Sequence, residues 1–378
     1  MIILVLVLLI LFFVYAGMIL YFRVGWSNTS TFIPHSSNTN ISISVIIPAR
    51  NEADNIRACL SSVVNQSYPK ALYEIILIND FSEDDTAKIA MEFPGVTVLE
   101  LKDFITDRIN SYKKKAIEIG IQHARGTLIV TTDADCIVKE NWLATIAEFH
   151  QQTQADFIAM PVYIPPAKHS FIEIFQSLDF MTLQGITAAA VNQRMMNMCN
   201  GANLAYTKAA FNKVGGFAGI DAIASGDDML LMHKIYKKNP TGVCFLKSQE
   251  VIVTTQPVTT IKDFFNQRIR WASKADKYDD KRIFVVLLLV YLFNVLMLLT
   301  PLLGFITGNV TLIFFWIMLM IGKTFFELIF LYPVAQFFNA TKELQYFPLM
   351  QPFHLLYTVI AGWLGKFGSY QWKGRAVK

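Results

Sequence analysis

The first 22 residues, MIILVLVLLILFFVYAGMILYF, contain no charged side chain. As a helix this segment would be about 33 Å long, enough to cross the hydrocarbon core of a bilayer. A cleaved signal peptide is the alternative, but it would begin with basic residues and have a shorter apolar run, whereas Arg23 follows the apolar residues here. We therefore expect residues 1–23 to form an N-terminal transmembrane anchor.

Apolar sequence returns in the last hundred residues. Residues 283–306 and 310–332 are two candidate spans, and 347–365 is a weaker third that contains two prolines and a histidine and can either span the membrane or lie in its interface. With 53% hydrophobic and 16% charged residues, the chain is too apolar for an ordinary soluble enzyme. We expect C-terminal transmembrane helices over 283–366 and a basic tail over 367–378.

Lys323 and Glu327 lie inside the second C-terminal span, one helical turn apart. At this spacing the two charges face the same side of a helix and can neutralise each other, whereas a single charge would be costly in a bilayer. A pair that stabilises a helix bundle is the simpler interpretation, and a role in transport is the alternative.

Basic residues flank the central part of the chain. Arg23 follows the first span, and four basic residues precede the second: Lys274, Lys277, Lys281 and Arg282. By the positive-inside rule both flanks face the cytoplasm, which predicts a multi-pass protein of the cell membrane with a cytoplasmic central domain.

Cysteine content and net charge agree with this location. Cys59, Cys136, Cys199 and Cys244 show no metal-ligand spacing, so in a reducing cytosol we interpret them as free thiols. The net charge of +4 is modest and predicts contact with anionic membrane lipids more than with nucleic acid.

The central domain, predicted over 42–257, alternates short apolar runs with helical patterns. Strands are predicted at 43–49, 74–80, 96–101 and 127–133, and helices at 51–66, 82–93 and 114–124. Repeated βα units with nearly continuous apolar strands favour an α/β fold, in which a parallel sheet is covered by helices on both faces.

Polar residues follow three of these strands. They are Arg50 with Glu52, Asn79 with Asp80, and Asp133 with Asp135. In such sheets ligands bind at the carboxyl ends of the strands. Two carboxylates one residue apart repel each other unless a cation lies beside them, and their oxygens suit Mg²⁺ or Mn²⁺ with substrate phosphates completing the coordination. An acidic turn that caps the next helix is the alternative.

Six segments between residues 42 and 275 resemble, in order, motifs of the family 2 inverting glycosyltransferases. They are VIIPARNEADNI, LINDFSEDDT, KKKAIEIGIQHARG, TTDADC, SGDDMLL and QRIRW. That family includes the cellulose, chitin and hyaluronan synthases and bacterial lipid or polysaccharide glycosyltransferases. The resemblance implies the GT-A fold, with a Rossmann-like mixed, mostly parallel sheet and helices on both faces, and here transmembrane helices at both ends.

The resemblance also implies roles for individual residues. Asp133 and Asp135 match the metal-binding DxD motif, and Asp228 matches the catalytic base. The nucleotide-sugar site would comprise Pro48, Ala49, Arg50, Glu52, Asp80, Lys113, Asp133, Gln267, Arg270 and Trp271. The acceptor side would comprise Asn200, Gly201, Ala202, Asn203, Asp227 and Trp271.

At two positions the chain departs from the family pattern. The family usually has two aspartates and a glycine where this chain has Asn79, Asp80 and Phe81, and Tyr112 replaces the usual glycine before Lys113. The aspartate matched to uracil binding, Asp80, is kept.

Residues 258–282 are predicted to form an amphipathic segment at the membrane surface. In this interpretation Phe264 and Phe265 point into the bilayer, and Arg268 and Lys274 lie near lipid headgroups. The QxxRW residues, Gln267, Arg270 and Trp271, would then lie beside the membrane.

The expected function is that of a membrane-bound, metal-assisted inverting glycosyltransferase. It would move a sugar from a nucleotide sugar, with a UDP-sugar favoured, to a lipid or polysaccharide acceptor and form a β-glycosidic bond. The alternatives are a nucleotidyltransferase of similar fold and a non-catalytic membrane scaffold.

Overall fold

A computed structural model of the protein describes residues 2–35, 39–107, 109–195, 198–223, 226–273, 280–368, 370–372 and 375–377. The helices are α1 (Ile2–Asn28), α2 (Ile56–Val64), α3 (Thr86–Met91), α4 (Tyr112–His123), α5 (Trp142–Thr153), α6 (Phe171–Asn192), α7 (Lys208–Lys213), α8 (Met229–Lys238), α9 (Ile261–Ala272), α10 (Lys281–Ile306), α11 (Val310–Phe337) and α12 (Phe347–Phe367). The strands are β1 (Ile43–Ala49), β2 (Tyr73–Asn79), β3 (Val96–Glu100), β4 (Leu128–Thr131), β5 (Cys136–Ile137), β6 (Phe157–Ala159), β7 (Val162–Tyr163), β8 (Leu204–Thr207), β9 (Val243–Phe245), β10 (Val253–Thr255), β11 (Tyr370–Trp372) and β12 (Arg375–Val377).

The central sheet has seven strands in the order β3-β2-β1-β4-β8-β6-β9. The first four are parallel to one another, with Ile43 of β1 opposite Tyr73 of β2 and Leu128 of β4. Strand β8 runs antiparallel to β4 and β6, whereas β6 and β9 are parallel. The predicted mixed, mostly parallel sheet is confirmed. A smaller sheet pairs β5, β10 and β7.

Both faces of the central sheet are buried. Ile46 and Ile78 belong to the hydrophobic cluster on the α4 side, and their strand neighbours Ile47 and Leu77 belong to the cluster on the opposite side. Side chains alternate between the faces of a strand, so a continuous apolar run supplies both clusters at once. Gly120 lets α4 approach the sheet, since a Cβ there would lie 2.8 Å from Ile46 and Ile78.

Helices α2 and α3 begin later than predicted, at Ile56 and Thr86 instead of 51 and 82. The residues before them form hydrogen bonds between the two loops instead of entering the helices. Ala53 N donates to Asp84 Oδ2 (3.0 Å), and Glu83 N donates to Asn51 Oδ1 (2.8 Å). The two loops at this edge of the sheet are thus tied together.

Within the described residues, three helices are long and apolar enough to cross a membrane, namely α1, α10 and α11. Helix α1 continues to Asn28, five residues beyond the predicted anchor at 1–23, because its last turns pack on α6. A Cβ on Gly25 would lie 2.8 Å from the carbonyl oxygen of Ala189.

The charge pair predicted in α11 is present. Lys323 Nζ lies 2.6 Å from Glu327 Oε1 and also donates to Gln351 Oε1 of α12 (2.6 Å), while Tyr15 of α1 donates to Glu327. The pair is buried and its hydrogen bonds join three helices, as expected for a pair that links a helix bundle.

Beyond α11, the described residues form the helix α12 and a short strand pair. Helix α12 packs against α9. Part of the segment 367–378, predicted as a basic tail, forms the antiparallel pair β11 and β12. Lys274 and Lys277, used for the orientation, lie outside the described residues.

Candidate active site

The two carboxylates of the predicted DxD motif follow the end of β4. Cys59 Sγ donates to the carbonyl oxygen of Asp133 (3.6 Å), and Cys136 Sγ donates to Asp135 Oδ1 (3.4 Å). Burial raises the pKa of both thiols, and the negative charges of Asp135 and Asp133 raise them further. Both aspartates therefore lie at this edge of the sheet, next to the buried Cys59 and Cys136.

Lys113, in the first turn of α4, brings two acidic motifs together. Its Nζ lies 2.7 Å from Asp133 Oδ1 and 3.4 Å from Asp227 Oδ2. Burial by itself lowers the pKa of Lys113, but the charges of Asp133 and Asp227 outweigh this effect and raise the pKa above its ordinary value. The site therefore contains a permanent cation between its two acidic segments.

Asp228 is the N-cap of α8. Its Oδ1 accepts a hydrogen bond from Met229 N (2.7 Å), and its Oδ2 accepts one from Gly201 N (3.1 Å). These two backbone donors fix the orientation of the carboxylate, and each oxygen keeps a further lone pair for another partner.

Gly201 makes the close approach of these groups possible. A Cβ at this position would lie 3.1 Å from Asp227 Oδ2, 3.3 Å from Lys113 Nζ and 3.6 Å from Asp228 Cβ. The structure therefore assembles one cluster from β4, α4, the segment before β8 and the start of α8. We refer to Lys113, Asp133, Gly201, Asp227 and Asp228 as the acidic cluster.

The nucleotide side of the predicted site is organised by Arg50. Its Nη1 donates to the carbonyl oxygens of Asp80 and Phe81 (both 2.9 Å), so the guanidinium holds the end of β2 against the end of β1. Phe81 has φ +52°, a left-handed conformation that favours glycine, which the resembled family has at this position. Its ring meets Tyr112 edge to face at 5.8 Å, so the two departures from the family pattern contact each other.

Other predicted nucleotide-side residues lie nearby and support the backbone. Glu52 is 8% exposed, and its Oε2 accepts a hydrogen bond from Asn55 Nδ2 (2.8 Å) at the start of α2. Pro48 and Ala49 lie at the end of β1, opposite Ile78 and Asn79. Contact of these residues with a nucleotide stays a prediction.

The acceptor-side prediction is wrong for one residue. The Asn203 side chain is fully buried and uses both of its polar atoms, since Oδ1 accepts from Trp142 Nε1 (3.0 Å) and Nδ2 donates to the carbonyl oxygens of Pro161 and Val251 (2.7 Å each). It fixes the start of β8 and faces no acceptor. Asn200 lies nearby, where its Oδ1 accepts from Ala202 N (2.9 Å).

Helix α9 carries the QxxRW residues, which are partly exposed. The ring of Trp271 lies 5.8 Å from that of Phe180 in α6 and packs against the core cluster that contains Ala134 and Ala202. Ala134 separates the two DxD aspartates and Ala202 follows Gly201, so Trp271 lies on the same side of the sheet as these motifs.

The predicted membrane orientation of α9 is wrong for Phe264 and Arg268. They are 0% and 4% exposed, because α6 and α12 cover this face of the helix, and neither side chain reaches lipid headgroups or acyl chains. Phe265 is partly buried, and Lys274 lies outside the described residues.

Asp179, which no sequence motif singled out, lies in α6 and is 7% exposed. It forms an ion pair with Arg268 (2.7 Å). An aspartate in a helical stretch with a long apolar face was the signal that could have indicated a buried partner.

The residues fit a divalent cation with incomplete protein coordination. Among the described residues, no three or more His, Cys, Asp or Glu side chains are grouped so as to hold a metal ion by themselves. Asp133 and Asp135 supply hard oxygen donors, and Asp133 already attracts a cation, the Lys113 ammonium. Such a donor pair suits Mg²⁺ or Mn²⁺ bound together with substrate phosphates.

Sequence comparisons relate the domain to known glycosyltransferases. The sequence model of Glycosyl transferase family 2 matches residues 44–215. Glycosyltransferase AglE of Haloferax volcanii is 35% identical over 101 residues, which are 27% of this chain and 33% of the relative. Poly-beta-1,6-N-acetyl-D-glucosamine synthase of Staphylococcus epidermidis is 26% identical over 238 residues, or 61% of this chain and 53% of the relative.

A solved structure resembles the fold over nearly the whole chain. Mannosyltransferase PcManGT from Pyrobaculum calidifontis, in complex with GDP-Man and Mn²⁺, has a TM-score of 0.58 at 15% identity and covers 96% of this chain and 97% of that one. The curated relatives above are matched over only a third to about half of their own length. Residues 44–215 therefore form a domain of Glycosyl transferase family 2, within a chain of GT-A-like fold.

Proposed function

We propose that this protein is a membrane-bound inverting glycosyltransferase that moves a sugar from a nucleotide sugar, a UDP-sugar first among them, to a lipid or polysaccharide acceptor. The observation that carries the proposal is the acidic cluster. It places the DxD aspartate Asp133, the cation Lys113 and the carboxylates Asp227 and Asp228 at one edge of the sheet.

The leaving diphosphate needs positive charge. Lys113 supplies a permanent cation next to Asp133, and Arg270 of α9 can hold phosphate oxygens through two parallel N–H donors. Asp135 and Asp133 would hold Mg²⁺ or Mn²⁺, which acts as a Lewis acid on the diphosphate when bound.

The acceptor hydroxyl needs a base. We assign this role to Asp228, whose carboxylate is held by Met229 N and Gly201 N. It takes the hydroxyl proton while the acceptor oxygen forms its bond to the anomeric carbon and the bond from that carbon to the diphosphate breaks. A single displacement inverts the anomeric centre, so an α-linked donor gives a β-linked product.

Three observations support the substrate classes, and a fourth supports the location. Asp80, matched to uracil binding, lies at the end of β2, and the structurally similar mannosyltransferase was solved with GDP-Man and Mn²⁺. The relative from Staphylococcus epidermidis is named for the synthesis of a polysaccharide. Helices α1, α10 and α11 are long and apolar enough to cross a membrane, which supports a membrane location. We propose the cytoplasmic side for the domain because basic residues, among them Arg23, Lys281 and Arg282, flank it.

The test is a donor screen followed by two substitutions. Purified full-length protein in detergent is incubated with UDP-, GDP- and dTDP-sugars, Mn²⁺ and total membrane extract, and products are identified by mass spectrometry. Absence of both transfer and donor hydrolysis with every donor would refute the proposal.

Asp228→Asn then separates catalysis from binding. We expect a loss of turnover of roughly 10²- to 10⁴-fold, the usual contribution of a general base, with unchanged nucleotide affinity. Asp135→Ala should abolish Mn²⁺-dependent nucleotide binding, and Asp103→Asn, which removes an exposed carboxylate, serves as the control. A nucleotidyltransferase would not need Asp228, and a scaffold would show no metal-dependent nucleotide binding.

A further inference from the structure

Helix α9, which carries the QxxRW residues, is fastened to the domain through a buried ion pair. Arg268 Nη2 lies 2.7 Å from Asp179 Oδ2 of α6, and the two side chains are 4% and 5% exposed. This arginine comes directly after Gln267 and three residues before Trp271. The contact therefore joins the catalytic domain to α9 in the middle of the motif.

The same aspartate also binds a third helix. Asp179 Oδ1 accepts a hydrogen bond from Tyr357 of α12 (2.6 Å). Helices α6, α9 and α12 thus meet at one carboxylate. The surrounding rings of Phe175, Phe264 and Phe353 exclude water from the contact, with ring centres 4.7–5.8 Å apart.

Arg268 contacts two of the residues assigned to the sugar site. The central carbon of its guanidinium lies 4.3 Å from the centre of the Trp271 ring, and its Nη1 donates to Gln267 Oε1 (3.0 Å). A planar cation over an aromatic face restricts the tilt of the ring, and the hydrogen bond fixes which way the amide points.

Fold stability alone does not explain this pair. Two buried charges must be desolvated, and apolar side chains of similar volume often give equal or greater stability. What the pair provides is a defined position, because a guanidinium held beside Asp179, over the Trp271 ring and hydrogen-bonded to Gln267 has far fewer orientations than an apolar side chain. That geometry is transmitted to Trp271 and Gln267.

We propose that Asp179, Arg268 and Tyr357 are positioning residues that set the orientation of Trp271 and Gln267 toward the sugar and the acceptor. None of the three touches substrate in this proposal. The proposal rests on the function proposed above and adds to it that α6 and α12 determine the acceptor side of the site.

The experiment compares transfer with donor hydrolysis in full-length protein. Water is the acceptor in hydrolysis, so this reaction does not depend on how Trp271 meets the acceptor, whereas transfer to total membrane extract does. For Asp179→Asn we expect the ratio of transfer to hydrolysis to fall at least tenfold, with a higher apparent KM for the extract and nucleotide affinity within twofold of wild type.

Two further variants separate positioning from folding. Arg268→Lys keeps a positive charge for Asp179 but has no plane to stack on Trp271, so we expect an unchanged thermal midpoint and a transfer ratio reduced about fivefold to tenfold. Glu327→Gln is the matched control, because this carboxylate is 7% exposed and bonded to Lys323 but belongs to the membrane bundle. It should lower stability and leave the transfer ratio unchanged.

The outcomes are distinguishable. If wild type neither transfers nor hydrolyses any donor, the proposed function fails and the positioning proposal fails with it. If wild type is active but Asp179→Asn keeps the wild-type transfer ratio, or Glu327→Gln lowers that ratio as much, the pair is structural only and the positioning proposal is overturned. An Arg268→Lys variant equal to wild type would also overturn it.

Discussion

Gly201→Ala should reduce catalysis with almost no effect on folding. The added methyl carbon would lie 3.1 Å from Asp227 Oδ2 and 3.3 Å from Lys113 Nζ, so both groups must move by a few tenths of an ångström. Both contacts are the far ends of flexible side chains, and we expect the free energy of unfolding to change by less than about 1 kcal/mol.

The catalytic cost is larger because the displaced groups act on the reaction. At an effective dielectric constant of about 20, moving Lys113 from 2.7 Å to about 3.2 Å from Asp133 weakens their attraction by roughly 1 kcal/mol before screening. A loss of about 1.4 kcal/mol in transition-state stabilisation is about tenfold in rate, and misplacement of about 1 Å costs about 10²-fold. We therefore predict a kcat about tenfold lower than wild type.

The assay measures kcat for the donor found in the screen, together with thermal unfolding. Gly17→Ala is the control, since a Cβ at that helical position meets nothing within 4 Å. The reasoning is refuted if Gly201→Ala keeps full kcat, or if its activity falls only in proportion to the folded fraction.

Three further predictions concern the parts around the site. In the native protein at pH 8, iodoacetamide should label the partly exposed Cys199 and leave Cys59 and Cys136 unlabelled. Burial and the nearby aspartates raise the pKa of these two thiols, so little reactive thiolate is present. Labelling is measured by peptide mass spectrometry, and equal reaction of all three cysteines would contradict the prediction. Phe81→Ala should be less stable than Phe81→Gly by about 1 kcal/mol and should therefore unfold at a lower temperature. Both variants lose the Tyr112 contact, but only alanine keeps the strain at φ +52°. Equal thermal midpoints would argue against that strain. Lys247 donates to the carbonyl oxygens of Trp26 and Thr29 at the end of α1 (3.1 Å each), and burial lowers its pKa to about 8. Between this pH and the ordinary pKa of lysine, the unfolded chain binds more protons than the folded chain. The free energy of unfolding should therefore rise as the pH rises through this range. This rise should disappear in Lys247→Met when thermal midpoints at pH 7.5 and 9.5 are compared, and an equal rise in both proteins would contradict the assignment.

Much of the fold follows from local sequence patterns. Strand β1 has the predicted bounds, and β2, β3 and β4 differ from prediction by one or two residues, because an uninterrupted apolar run between turn residues has few alternatives to a buried strand. Helix starts were less accurate. The starts of α2 and α3 depend on hydrogen bonds between Asn51 and Glu83 and between Ala53 and Asp84, which are about thirty residues apart.

The candidate site was predicted by motif and not by geometry. Lys113, Asp133, Asp227 and Asp228 were each named, but no sequence pattern gives the 2.7 Å contact between Lys113 and Asp133 or the close approach at Gly201. Asn203 was misassigned because an asparagine two residues after a glycine looks the same in the sequence whether its amide faces a ligand or, as here, Trp142.

The sequence by itself determined which segments are buried in a sheet, which are apolar enough for a membrane, and which acidic residues follow β4. Hydrophobic periodicity and length encode these properties along the chain, so no distant contact is needed to read them. Only the tertiary structure decided that Arg268 turns inward. An amphipathic helix is equally compatible with lipid or protein on its apolar face, and the choice depends on Asp179 and Tyr357, which are 89 residues away on either side.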